Sequence, residues 1–378
     1  MSDSKKQHYV PQFYLRNFSK DQSQVFVYIL RSQNVVLSPI SSTCQGKYFY
    51  GSDPAFEKML QGLEDVQAPV IKKIIEQQNL NGLTMEEWIN LHTFLLLQFA
   101  RTKDARMIAD NYVDFFVKKY IKPMMKGREE FKEYSPEYID SLKITMPNLY
   151  KFFIGTALSG VVGISDLKPL LLVNKTQKHF ISSDAPVVKN NYFKITNNDL
   201  TGFQSPGLQI FCPLNENLLL LLIHGEAYEI IGEHDSIVEL TNTDDIDSLN
   251  QLQVLNGLEI VLFADQTDIV DIRRIHEMSV PIKSNKKFSE KTINKTKVKE
   301  GGYSEMVRLH LDGINYRLHF SFIRRNHKYS RWFRIQCKIN SKKFPIIMPY
   351  RSKKLIEMIT DNFDLLVENA KKHEKKIR

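Results

Sequence analysis

Cysteine is scarce in this sequence, and the few cysteines are not clustered. Cys44, Cys212 and Cys337 lie far apart, and no Cys-x-x-Cys pair occurs. Disulfide-stabilised scaffolds and zinc ribbons require paired or clustered cysteines, so both classes are excluded. The sparse use of cysteine also favours a reducing compartment.

Long apolar runs are also missing. The longest extends from Leu218 to Ile223, whereas a membrane-spanning helix needs about 20 apolar residues. The first residues, MSDSKKQHYV, are polar and lack the apolar core of a signal peptide. We therefore expect a cytoplasmic protein without a membrane partner, in which the run at Leu218 is a buried strand.

Several motifs that fix a chemistry are absent as well. The sequence contains no GxxxxGK[ST] or GxGxxG loop, no HExxH or GxSxG motif, and no EF-hand loop. A clear carboxylate pair of the restriction-nuclease type, followed by x-Lys, is also missing. These absences exclude Walker and dinucleotide loops, zincins and nucleophile-elbow hydrolases, so no motif alone defines a reaction.

The sequence does carry an asymmetric distribution of charge. Its net charge is +9, but residues 283–378 hold 25 Lys and Arg against 9 Asp and Glu, whereas residues 1–282 hold 27 against 34. This asymmetry favours a basic C-terminal part that meets a polyanion, beside an acidic main body. Lysine-rich termini that only maintain solubility are the alternative.

We interpret the chain as an α+β protein. The main domain, residues 1–282, comprises an N-terminal arm, a helical region at 52–158 and a sheet-rich region at 160–282 with a central mixed sheet. A basic linker follows at 283–302, and a small ββββα module occupies 303–378. The length of 378 residues exceeds what one typical core needs, which also favours more than one domain.

Capping signals and apolar spacing locate the principal helices of the main domain. Four are predicted: from Asp53-Pro54 to about Gln78 with a break at Pro69, from the capping box Thr84–Glu87 to about Val117, from about Pro136 to Leu158 with a break at Pro147, and from Thr243 to Phe263.

Turn signals divide the predicted module. It consists of a hairpin around Asp312-Gly313, a second hairpin with strands 332–339 and 344–348, and a helix that begins at Ser352.

The segment from His8 to Phe18, HYVPQFYLRNF, is too polar for a core strand and too aromatic for a loose tail. It resembles the opening signature, His-Tyr-x-Pro-Gln-x-Tyr-Leu-x-x-Phe, of an uncharacterised bacterial family of unknown function. Further positions match that family's pattern: Glu57 and Glu64, Gln98, Arg101 and Arg106, Ser183-Asp184-Ala185-Pro186, Phe211 to Leu214, and a helix near Asn250.

The resemblance covers about residues 7–265 and leaves the basic C-terminal module outside. One position departs from it, because family members often have a proline after the Arg-Thr pair, where this chain has Lys103. The family implies no settled activity, and its bacterial distribution is compatible with a role in host defence or as a toxin. The chemistry must therefore be argued from the residue types.

His8 is a candidate general acid or base, or a metal ligand, because histidine titrates near neutral pH. Its alternative role is a structural one, in which it binds a backbone carbonyl of the arm. Glu57 and Glu64 share one helix face at a spacing of seven residues and could flank a metal ion or a proton-transfer site. A solvated face explains them as simply, and only Glu64 enters our candidate set.

Gln98 and Arg101 project together from an otherwise apolar helix, where an unpaired polar group would be costly. Arg101 either pairs with a buried carboxylate, Asp184 or Glu64, or faces an anionic substrate. Asp184 follows a predicted strand, where it could be reactive or could close the strand with a turn.

The C-terminal module interleaves basic and aromatic residues in a way typical of single-strand or RNA platforms. A basic, solvated sheet face is the alternative. The candidate nucleic-acid contacts are Arg317, Arg324, Arg325, Arg331, Trp332 and Arg334.

Two hypotheses follow for the function. In the first, the protein is a nuclease-like enzyme that hydrolyses phosphodiester bonds in RNA or single-stranded DNA. His8 is then acid or base, Glu64 and Asp184 serve a divalent metal or a proton relay, and Arg101, beside Gln98, neutralises phosphate. In the second, the protein binds nucleic acid or protein without catalysis. The same polar residues, with Gln12, then form a buried network that fixes the arm.

Overall fold

The computed structural model describes residues 6–144, 149–193, 202–283 and 318–333 in full, and residues 288–297 and 303–311 as backbone. The architecture is α+β, as predicted, with a helical layer over mixed sheets. The helices are α1 (Gln12–Arg16), α2 (Pro54–Gln77), α3 (Met85–Ala100), α4 (Lys103–Phe116), α5 (Lys122–Lys126), α6 (Pro136–Ser141), α7 (Leu149–Leu158), α8 (Thr243–Asn256) and α9 (Ile269–Ser279). The π-helical turn Val117–Ile121 joins α4 to α5.

The strands are short, apart from one C-terminal pair. They are β1 (Lys6–His8), β2 (Gln24–Ile29), β3 (Val35–Pro39), β4 (Gln45–Lys47), β5 (Lys168–Asn174), β6 (Ser182–Ser183), β7 (Val188–Asn191), β8 (Leu208–Pro213), β9 (Leu218–Ile223), β10 (Tyr228–Ile230), β11 (Glu233–His234), β12 (Ile237–Leu240), β13 (Ile260–Phe263), β14 (Phe288–Lys297), β15 (Tyr303–Leu311) and β16 (Ile323–Arg325).

Two sheets form the centre of the structure. The larger has the order β11-β12-β5-β9-β8-β7 and is antiparallel except where β12 runs parallel to β5. The smaller has the order β3-β2-β13-β6, so that β13, near the end of the main body, lies between the N-terminal β2 and β6. The arm adds a short pair, β1 with β4.

Strand β9 shows why the larger sheet is buried on both faces. Its sequence, LLLLLI, is entirely apolar, and every residue is buried. Leu218, Leu220 and Leu222 enter the core beneath the arm, α2 and α3. Leu219, Leu221 and Ile223 enter a second core beneath α8, because successive side chains of a strand point to opposite faces.

The helix predictions are confirmed at their starts and are wrong in parts of their extent. Asp53 caps α2, and Thr84 and Glu87 form the predicted capping box of α3. Helix α2 continues through Pro69 without the predicted break. Since Pro69 is exposed, water can satisfy the backbone carbonyl that loses its partner there.

Two predicted helices are also shorter than expected. The second ends at Ala100, because Thr102 accepts a hydrogen bond from the backbone N–H of Ala105 and starts α4. The fourth ends at Asn256, and its expected last turn is strand β13. A short apolar run such as Ile260–Phe263 is compatible with either element by periodicity alone.

The C-terminal region differs in detail from the prediction. The expected linker contains β14, which pairs with β15 in an antiparallel hairpin. Trp332 lies in a helical segment, residues 327–333, rather than in a strand. The Asp312-Gly313 turn, the second hairpin after residue 333 and the helix from Ser352 lie outside the described residues.

The segment 318–333 packs against the main body. Strand β16 pairs with β10, and the side chains of Phe320, Phe322 and Phe333 belong to the core that also contains α8. Ser321 reaches the buried Asp245 of α8 through its backbone N–H and its hydroxyl. This segment therefore covers one face of the larger sheet. The division of the chain into two domains stays a prediction.

Within the described ranges, no helix combines the length and the apolar character that crossing a membrane would require.

Phe320→Ala tests this packing. Phe320 is 3% exposed and its ring lies 5.4 Å from that of Phe211 in the larger sheet. We expect the free energy of unfolding of the main body to fall by about 3–5 kcal/mol, because a buried aromatic ring is lost. Lys328→Ala, at an exposed position of the same segment, should stay within about 0.5 kcal/mol. Chemical denaturation measures both variants, and an unchanged main transition in Phe320→Ala would contradict the packing.

Candidate functional site

A cleft of about 1420 Å³ opens between the N-terminal arm and helix α2. The arm wall includes Lys6, His8, Gln12, Phe13, Arg16 and Asn17, and the α2 wall includes Asp53, Glu57, Lys58, Glu64, Asp65 and Lys72. Small-molecule pockets usually measure about 300–1,000 Å³. The cleft therefore has room for a substrate larger than a single small metabolite.

The arm is held rigidly, so His8 has a defined position. Its backbone pairs with Gln45 in β4, and its carbonyl accepts a hydrogen bond from the Tyr50 hydroxyl at 3.1 Å. The Gln7 side chain bridges the backbone of Tyr50 and Gly51. Farther along, the fully buried Tyr14 donates from its hydroxyl to the Pro213 carbonyl at 2.6 Å.

The sequence of α2 places two carboxylates along the cleft. Asp53 accepts a hydrogen bond from the Ala55 N–H and Pro54 occupies the first turn, which fixes the start of the helix. Glu57 and Glu64 are then about two turns apart on one face, and both line the cleft. The expected shared face is therefore observed.

Behind the cleft, Arg101 joins three elements. It lies directly after α3 and is 1% exposed. Its Nη1 donates to Oε1 of Glu64 at 2.8 Å, and its Nε donates to Oε1 of Gln98 at 3.1 Å. Gln98 in turn donates from Nε2 to the Tyr9 carbonyl at 3.1 Å. The chain Glu64–Arg101–Gln98–Tyr9 thus links α2, α3 and the arm.

Three buried polar atoms of this group have no hydrogen-bond partner among the described residues: His8 Nε2, Glu57 Oε2 and Arg101 Nη2. Buried polar atoms are nearly always paired in proteins, so each exception needs an explanation. The three belong to an imidazole, a carboxyl group and a guanidinium. His8 and Glu57 line the cleft, so a substrate or water there could pair with them, whereas Arg101 does not line it.

Burial shifts the pKa values of both His8 and Glu57 away from those of exposed groups. Desolvation lowers the pKa of His8 below 6.5, although the backbone carbonyl of Ile40 and the charge of Glu64 oppose this. Desolvation also raises the pKa of Glu57 above 4.5, and the charge of Glu64 adds to the shift, while Arg101 opposes it. At neutral pH His8 is therefore predominantly a neutral imidazole that can accept a proton.

Asp184 does not join this group. Its carboxylate accepts hydrogen bonds from the backbone N–H groups of Leu258 and Glu259, both at 2.8 Å. It is 1% exposed and is not one of the residues that line the cleft. Of the two partners expected for Arg101, the structure has Glu64. Asp184 instead joins the end of β6 to the loop before β13.

The candidate catalytic residues therefore divide into two sets. His8 and Glu64 line the cleft, Arg101 and Gln98 are joined to Glu64 behind its wall without lining it, and Asp184 lies apart; their catalytic roles stay predictions. Glu57 was not selected from the sequence, although its spacing from Glu64 was the available signal. In the described part of the chain, no group of three or more His, Cys, Asp or Glu side chains is arranged to hold a metal ion.

The predicted nucleic-acid contacts are only partly described. Arg324 and Arg325 are exposed in β16, where they lie opposite Glu229 and Tyr228. Arg331 and Trp332 are exposed in the helical segment 327–333, and Trp332 is 41% exposed. Arg317 and Arg334 lie outside the described residues.

Comparison with known proteins gives a match over most of the chain. The family described as "Protein of unknown function (DUF4238)" matches residues 6–267, a range that includes the whole cleft. No curated protein and no solved structure matches the chain significantly. The predicted resemblance to an uncharacterised family is therefore confirmed.

Asp184→Asn should flatten the pH dependence of stability. Burial raises the pKa of Asp184 to about 6 against three opposing backbone hydrogen bonds, whereas its ordinary value is 3.8. The folded state then holds this proton more tightly than the unfolded state. The stability contributed by this group falls as the pH rises from about 4 to about 6, by on the order of 3 kcal/mol.

Denaturation across this pH range measures the effect through its slope, since the variant also loses one acceptor and is less stable overall. Asp110→Asn, at an exposed position, should retain the slope of the wild-type protein. An unaltered slope in Asp184→Asn would contradict the raised pKa.

Proposed function

We propose a function from the cleft itself, since the chain belongs to the DUF4238 family, whose description as a protein of unknown function assigns no activity. The proposal is an enzyme that cleaves phosphodiester bonds of nucleic acid by acid–base catalysis in this cleft. The observation that carries it is the set of three buried polar atoms, on His8, Glu57 and Arg101, that have no hydrogen-bond partner among the described residues. A base, a carboxyl group and a fixed cation are the groups that such a reaction uses.

His8 has the chemistry of a general base in this proposal. Its unpaired Nε2 belongs to a residue that lines the cleft, and burial lowers its pKa, so the neutral form predominates near pH 7. A positioned base of this kind contributes about 10²–10⁴-fold to a rate.

In this proposal Arg101 provides positive charge from behind the cleft wall, since it pairs with the lining residue Glu64 and does not line the cleft itself. Its Nε and Nη1 are engaged by Gln98 and Glu64, which fixes the plane of the guanidinium and leaves Nη2 unpaired within the described structure. A preorganised guanidinium binds phosphate oxygens well because it needs no reorientation during the reaction. Lys6 and Arg16 make the arm wall basic, whereas on the α2 wall Lys58 and Lys72 lie among the carboxylates Asp53, Glu57, Glu64 and Asp65.

Nucleic acid is the proposed polyanion because of the C-terminal charge. Residues 283–378 carry 25 basic and 9 acidic residues, and Arg324, Arg325, Arg331 and Trp332 are all exposed. Basic side chains near an exposed aromatic ring suit phosphate contact and base stacking.

A second candidate function rests on a separate observation. Gln98 and Arg101 pair with the Tyr9 carbonyl and with Glu64, as a structural latch of the arm would. In that case the protein binds its partner without catalysis, and the cluster serves only to position the arm. The latch explains Gln98 and Glu64 fully, but it gives no role to the unpaired atoms of His8 and Glu57.

His8→Ala distinguishes the two candidates. If His8 is the base, the rate of cleavage of a labelled oligonucleotide falls by at least 100-fold while the melting temperature changes by only a few degrees. His92→Ala is the matched control, since the Nε2 of His92 is also buried and lacks a partner in the described part of the chain, but His92 does not line the cleft. It should retain activity whatever its effect on stability. Full activity in His8→Ala, or a large loss of melting temperature that accounts for the lost rate, would favour the latch.

Reversal of charge at Arg324 and Arg325 tests the proposed polyanion surface. The double variant Arg324→Glu, Arg325→Glu should bind a single-stranded oligonucleotide more weakly. A plot of log affinity against log salt concentration should also be less steep for this variant. Its slope should be smaller in magnitude by roughly 0.7 for each phosphate that the variant no longer neutralises. Fluorescence anisotropy on the full chain at several salt concentrations measures both effects.

The control reverses Arg31 and Lys132, two exposed cations of the main body. Its affinity should stay close to that of the wild-type protein. Equal losses in the two double variants would show a general effect of net charge and would contradict a specific surface at β16.

A further inference from the structure

The cleft holds two carboxylates whose surroundings differ, and this difference assigns them different roles. Glu64 is engaged by Arg101 at 2.8 Å. Glu57, seven residues earlier on the same face of α2, leaves its Oε2 buried and without a partner in the described structure. A pair of carboxyl groups in unequal environments is the usual basis for dividing acid and base roles in an active site.

We propose that the substrate is single-stranded RNA and that its own 2′-hydroxyl is the nucleophile. In this proposal, which rests on the proposed phosphodiester cleavage, Glu57 is the general acid opposite His8. The two groups belong to opposite walls, since His8 is on the arm and Glu57 is on α2. One group can therefore serve the attacking oxygen while the other serves the leaving oxygen.

The reaction balances with the groups present. Nε2 of His8 removes the proton of the 2′-hydroxyl, and the new bond forms between O2′ and phosphorus. The bond from phosphorus to O5′ breaks, and the proton on the carboxyl group of Glu57 passes to O5′. The products are a 2′,3′-cyclic phosphate and a 5′-hydroxyl, and exchange with solvent restores the two protonation states.

RNA suits this site better than DNA because its nucleophile is part of the substrate. An adjacent, correctly held hydroxyl reacts with an effective molarity far above that of a diffusing reactant. A base that only removes a proton, an acid that only delivers one, and the charge of Arg101 are then sufficient. DNA has no such hydroxyl and would need a separately activated water molecule.

The walls of the cleft also suit a single strand. Phe13 and Tyr48 are partly exposed aromatic residues that line it, and single-stranded RNA is commonly held by stacking its bases on such rings. Lys6 and Arg16 of the arm wall can contact the phosphate backbone, and the volume of about 1420 Å³ exceeds that of usual small-molecule sites.

The protonation of Glu57 depends on a known set of neighbours. Glu64 on α2 and burial raise its pKa, and Arg101 after α3 lowers it. The other charged or titratable side chains that line the cleft are Lys6, His8, Arg16, Tyr48, Asp53, Lys58, Asp65 and Lys72. His8 must be neutral and Glu57 protonated, so activity should be bell-shaped with its maximum on the acidic side of neutrality.

The test compares one oligonucleotide sequence as RNA, as DNA, and as RNA with a single 2′-O-methyl group at the cleaved position, with the full-length protein. We expect cleavage of the RNA alone, and mass spectrometry should identify the 2′,3′-cyclic phosphate. Glu57→Gln should reduce the rate by about 10²–10⁴-fold and remove the fall in activity at higher pH. Glu76→Gln, at an exposed position of the same helix, should leave both unchanged.

The possible outcomes separate the two levels of the proposal. Comparable cleavage of DNA, or RNA products that end in a linear phosphate from the start, would overturn the assignment of the 2′-hydroxyl and leave the proposed phosphodiester cleavage standing. Full activity in Glu57→Gln would overturn its role as the acid. No cleavage of either polymer by the wild-type protein would overturn the proposed function itself.

Discussion

The buried guanidinium of Arg101 is the constraint on which the cleft depends. A charge removed from water is tolerated only when it is paired and hydrogen-bonded, and here Glu64 and Gln98 provide both. Gln98 also donates a hydrogen bond to the Tyr9 carbonyl, so that the arm is fixed relative to α2 and α3. The separation between arm and α2 that forms the cleft thus follows from where these polar groups can satisfy one another.

The same network explains why structural and chemical roles are compatible at one site. Two of the donor nitrogens of Arg101 hold the scaffold, whereas Nη2 is unpaired in the described structure. On α2, Glu64 is committed to the ion pair and Glu57 is not. A residue fixed by some of its atoms can present the remaining ones with little loss of entropy, which is the advantage of a preorganised site.

What could be predicted from the sequence was set by local interactions. The caps at Asp53 and Thr84 depend on residues within one turn, and β9 is apolar throughout, so all three were predicted correctly. The pairing of Arg101 with Glu64 was one of two alternatives, because charge complementarity limits the possible partners but does not determine the geometry.

Other contacts could not be predicted from the sequence. The partners of Asp184 are the backbone N–H groups of Leu258 and Glu259, and every residue type carries such a group except proline. For the same reason Ile260–Phe263 was mistaken for the end of a helix: its strand partners are distant along the chain.

The order of strands in the smaller sheet determines when that sheet can assemble during synthesis. Strand β2 pairs with β13, and Ile29 lies opposite Ile260, so more than two hundred residues separate the partners. A ribosome that adds about 5–20 residues per second needs roughly 10–50 s to reach β13 after β2. During that interval the nascent β2–β3 hairpin presents an unpaired strand edge, which is a site for aggregation or for chaperone binding. Slow, nonlocal assembly is therefore built into this topology.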